Sequence, residues 1–140
     1  MTELPVDFDA ALRAWLEAEA ELTALTGTRI YAGVKLPEGY KPADGSALLF
    51  TQRPSGEDYS RKVLYASYQF LCYGAGQEQD AEAAARTLAR TLCGLLAAAR
   101  PNSAFMSANM ETSPALLEDP DTGWPYTVTF WNMIYHQFTS

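Results

Sequence analysis

His136 is the single histidine of the chain. Catalytic triads and most zinc sites need an imidazole beside a nucleophile or further ligands. Alternation along its segment groups His136 with Ile134 and Asn132, which supply neither, so it reads as an ordinary strand-end residue. Cys72 and Cys93 are the two thiols. A thiol becomes a nucleophile when a nearby cation or imidazole holds it as thiolate. No histidine adjoins either one, and both positions read as small buried hydrophobes. Two cysteines make neither a disulfide framework nor a zinc signature. Gly74-Ala75-Gly76 ahead of a helix has the outline of a phosphate-binding turn. It lacks the third glycine of a dinucleotide fingerprint and the Gly-Lys-Ser/Thr of a P-loop, and Gln77, Glu78 and Asp80 follow it. A plain strand-to-helix turn is the better reading. Glu78 and Glu82 share a helix face, as paired general acid–base carboxylates would, but they sit at a helix start where solvated acids are favoured by the dipole. The sequence thus predicts no catalytic residue, no metal site and no cofactor, and an enzyme working through Cys72 or Cys93 is a minor rival reading.

The 140 residues fit one domain, 1–140, and 48 % hydrophobic with 19 % charged residues is a composition that buries a core. The formal charge of −7 repels phosphate backbones, which argues against direct nucleic-acid binding. Arg100 is the last cation; Glu111, Glu118, Asp119 and Asp121 follow it unbalanced, predicting an acidic surface around buried strands. Met1 to Phe8 has no apolar run of the signal-peptide type, and no window approaches the roughly 18 apolar residues of a membrane span.

Leu12, Trp15, Leu16, Leu22 and Leu25 recur at helical spacing, predicting a first helix from about Asp7 to Leu25 that stops at Gly27. Arg29 to Gly33 reads as a short extended segment, and the Pro- and Gly-bearing stretch Lys35 to Ser46 as a loop. Ala47–Arg53 and Arg61–Tyr73 read as strands joined by the polar turn Pro54–Ser60. Leu64, Ala66, Tyr68, Phe70 and Cys72 form the core parity of the longer one. A second helix is expected from about Gln77 to Ala99. Strands over Ser103–Glu111 and Tyr126–Phe138 close the chain, with a turn at Asp119–Gly123 between them. The order α-β-β-β-α-β-β predicts an α+β fold: a mostly antiparallel sheet with two main helices packed on it.

The tyrosines and tryptophans outnumber what one small core needs. Some occupy parities away from the inferred core face, where exposed aromatics serve interfaces; the alternative is that helices of the same subunit cover them. Tyr40, Trp131 and Tyr135 are the strand and loop candidates for partner contact. Tyr59, flanked by Arg61 and Lys62, is the candidate anchor on the 54–60 turn.

The ordered pattern resembles a known family across nearly the whole chain. The residues that carry the likeness are the helix around Ala11–Leu16, the run Gly27-Thr28-Arg29-Ile30-Tyr31, and the proline loop before Ala47–Thr51. Tyr68–Tyr73 leading into the alanine-rich helix and the Asp119-Pro120-Asp121-Thr122-Gly123 turn complete it. The chain resembles the tail-completion or tail-terminator proteins, also called tail-to-head joining proteins, of long-tailed phages and prophages. That resemblance implies a structural subunit without catalytic residues that forms a ring, typically a hexamer. The ring would cap the tail tube and dock the head connector at the head–tail junction of the virion, after assembly in the host cytoplasm. Its partners would be itself, the tail-tube protein and the head connector or completion protein. Genomic DNA would only pass through the lumen, and no membrane or small-molecule substrate is implied. Another virion ring, such as a head-completion or tail-tube subunit, and a small-molecule-binding or regulatory α+β module are the rival readings.

Overall fold

The computed structural model describes residues 7–53, 63–99, 105 and 107–136. Three α-helices and five strands form an α+β fold of two layers. Helix α1 (Phe8–Ala18) starts where the Asp7 carboxylate accepts the Ala10 N–H at 3.1 Å, the bond an N-cap makes. The expected single N-terminal helix is broken: Glu19 is extended (φ −84°, ψ 105°), and α2 (Ala20–Thr26) resumes at a new angle. The break lets Leu12, Leu16 and Leu22 all reach the same core. Gly27 ends α2 at φ 58°, a conformation open to glycine.

β1 (Ile30–Ala32) pairs parallel with β2 (Ala47–Arg53); β2 pairs antiparallel with β3 (Val63–Tyr73). Helix α3 (Glu78–Ala98) follows, then β4 (Ser107–Glu118) and β5 (Pro125–His136). The sheet order is β1-β2-β3-β5-β4, so β5 enters between β3 and β4, antiparallel to both. β4 lies four residues further along at its start than expected and runs to Glu118. Register shifts between Met110 and Thr112 and between Thr112 and Ala115 interrupt its ladder, beside a proline at 114 that an edge strand tolerates.

All three helices cover one face of the sheet. Their buried leucines meet Ala66, Tyr68, Phe70 and Cys72 of β3, the predicted core parity, and Trp131, Met133 and Tyr135 of β5. Gly74 makes the tight entry into α3 possible, because a Cβ there would drive into the Ala81 carbonyl. Among the described residues no α-helix covers the opposite face. At one end of it Tyr40, Ala47 and Tyr73 form a second, smaller cluster under the 33–46 loop, with Trp124 and Tyr126 packed against them.

Candidate functional site

Of the partner-contact candidates, three are corrected by the fold. Trp131 is 2 % exposed and Tyr135 3 %, both in the main core on the helix side of β5. Phe8 of α1 stacks on the Tyr135 ring at 3.9 Å between centroids, and Trp131 lies beside Cys93 of α3. Tyr40 is 7 % exposed; its hydroxyl donates to the Gly45 carbonyl at 2.7 Å, and its ring meets Trp124 edge-on at 5.7 Å. The physical reason is common to all three: helices and a loop of the same subunit cover these rings. Tyr59, Arg61 and Lys62, with the whole 54–60 turn, lie outside the described residues, as does the side chain of His136.

The thiols sit where core residues sit. Burial pushes the fully covered Cys72 well above the usual thiol range. Burial also raises Cys93, with the polar groups of Thr129 and Trp131 beside it pulling the other way. Both shifts favour the protonated thiol over the thiolate. The Thr127 hydroxyl is buried without a hydrogen-bond partner among the described residues. Among those residues no group of three His, Cys, Asp or Glu side chains is placed to hold a metal ion. Among the described residues no helix is long and apolar enough to cross a membrane.

The Gly74-Ala75-Gly76 turn is tied down rather than open to an anion. The Ala75 N–H donates to the Ser46 hydroxyl at 3.1 Å and the Gly76 N–H to the Pro42 carbonyl at 3.2 Å. Glu78 takes φ 51°, an uncommon value for a side-chain-bearing residue. Glu78 and Glu82 line a groove of about 640 Å³ with Leu117, Glu118 and Pro125. A second groove of about 620 Å³ adjoins it, lined by Lys41, Pro42, Glu78 and Trp124.

What remains accessible is the sheet itself: one face and two edges. On the open face Arg53 lies over the Phe130 ring at 4.7 Å and approaches Glu111 at 3.5 Å, while the Ser67 hydroxyl donates to the same carboxylate at 2.8 Å. Tyr65 stands 59 % exposed there. At the edges, β1 is three residues long and β4 twelve, most of them exposed. The arrangement offers surfaces for other macromolecules. Sequence reasoning looked for those surfaces in surplus aromatics; their signal was instead β4, whose residues show no clean apolar alternation.

No family model matches the chain, and no curated protein matches it.

Proposed function

We propose that this protein is a structural assembly subunit: a tail terminator that forms a homo-oligomeric ring, caps a phage tail tube and joins it to the head. The sequence resemblance, from the Gly27–Tyr31 run to the Asp119–Gly123 turn, supplies the specific assignment. The structural observation that carries it furthest is the long outer edge of β4, beyond which no strand lies among the described residues. An unpaired edge of this length is a template for association, and a closed ring is one way to occupy it. Burial disfavours the thiolate forms of Cys72 and Cys93, which weakens the support for an enzyme working through them.

The charge of −7 per copy opposes self-association until salt screens it or a tube templates it. The isolated protein is therefore expected to be monomeric when dilute and to assemble when concentrated, at raised ionic strength or on purified tail tubes. Native mass spectrometry across salt and concentration, with electron microscopy of tubes, tests this; a chain that stays monomeric even with tubes overturns the ring. The Trp124 groove favours the small-molecule rival. A thermal-shift screen that finds a ligand whose effect disappears in Trp124→Ala would support that rival instead.

A further inference from the structure

The described residues leave four large hydrophobics exposed: Val34 at 79 %, Tyr65 at 59 %, Leu117 at 48 % and Met110 at 44 %. Three of these lie at the sheet's two edges. Val34 lies two residues past the end of β1, and Met110 and Leu117 belong to β4. Beside Val34 is a hollow of about 100 Å³, lined also by Gly33, Leu49 and Leu71, sized for a single aliphatic side chain.

The two edges also differ in charge. Near β1 are Arg29 and Lys35, neither in an ion pair among the described residues. The Arg29 Nε donates to the Ser46 carbonyl at 3.0 Å, and its guanidinium fills a notch that a Cβ on Gly45 would close. Glu38 and Asp44 lie on the same loop, but Asp44 is engaged with the Lys41 N–H. The charged residues of β4 and the turn after it are all acidic: Glu111, held by Arg53, then Glu118, Asp119 and Asp121, with Glu78 and Glu82 lining the groove beside them.

The levels agree as well. The Arg29 carbonyl accepts the Leu48 N–H, which places it at the first rungs of β2; Glu118 pairs with Pro125 at that same end of the sheet. Further along, Gly33 bonds to Phe50, while Met110 lies opposite Trp131, level through Tyr68 with Gln52. A rotation about an axis along the strands keeps each end level from copy to copy. It would set cation against acid at one end and apolar against apolar in the middle.

From this match we propose that the ring closes edge to edge, the β1 edge of one copy meeting the β4 edge of the next. The contact is heterologous, the kind that builds rings. The apolar side chains supply its affinity, and the exposed charges mainly set orientation and encounter rate. The inference rests on the ring reading and names its interface.

The test compares wild type, Val34→Asp, Met110→Asp and Glu118→Lys with Tyr65→Asp, exposed but away from both edges. Native mass spectrometry of the full chain reads assembly. Melting temperatures of the dilute monomers, expected within about 3 °C of wild type, verify folding. Each edge aspartate should weaken assembly by about tenfold or more. Glu118→Lys should weaken it less, and Tyr65→Asp should assemble normally. Wild type assembling while both edge aspartates also assemble would overturn the edge contact and leave the ring. Loss of assembly in Tyr65→Asp alone would move the interface to the open face and overturn the proposal. A wild type that never assembles would overturn ring and edge contact together.

Discussion

The two faces of the sheet are built from alternate residues of the same strands, yet they meet different fates. In β3, Tyr68, Phe70 and Cys72 are sealed under the helices, while Tyr65 on the other parity is 59 % exposed and Gln69 only half-covered. The helix face holds the fold together by apolar burial. Among the described residues the open face carries a terminal aromatic cluster and the Arg53–Glu111–Ser67 group over Phe130. One face can therefore change little without unfolding the chain, whereas the other is free to be shaped by partners.

Truncation across the sheet gives the largest expected contrast. Phe70→Ala should destabilise by about 3–5 kcal/mol, measured by denaturant unfolding, because it opens a cavity in a sealed core. Tyr65→Ala should change stability by no more than about 0.5 kcal/mol. Equal effects would break the distinction between the faces.

The terminal aromatic cluster should fall between these. Tyr40→Phe removes the bond to the Gly45 carbonyl and should cost about 1 kcal/mol. Burial pushes the phenols of Tyr40 and Tyr73 up to about 12, against about 10 in an unfolded chain. The folded state then holds protons that the unfolded state has lost. Stability should be intact below about pH 10 and should decline as pH rises toward 12. A flat stability profile across that window, followed by chemical denaturation, would mean that this cluster is open to water.

Thiol labelling gives the smallest signal. Cys72 should resist alkylation until the protein unfolds and Cys93 should react slowly, as mass spectrometry of labelled protein would show. Rapid labelling of Cys72 under native conditions would mean that the helix layer opens.

Much of the framework was legible in the sequence. Ala47–Arg53 forms β2 with the expected bounds, and the core parity of β3 is the one its alternation indicated. The break at Glu19 was not legible, because it lies in an Ala-Glu-Ala-Glu run with no proline or glycine. β4 was misplaced because an exposed edge strand has no buried face to impose a period of two. Trp131 and Tyr135 read as candidates for partner contact because both parities of β5 carry large apolar groups. Alternation alone cannot tell which of two apolar faces a helix will cover.

The position of β5 has a consequence for synthesis. It follows β4 in the chain but separates β4 from β3 in space. A ribosome making this protein releases Ser107–Glu118 before the strand that holds it exists. Until Pro125–His136 emerge, the inner edge of β3 has no neighbour and the nascent sheet is exposed to wrong pairings. The fold can be completed only after those residues have cleared the exit tunnel, so the subunit's first risk of misassociation comes on the ribosome.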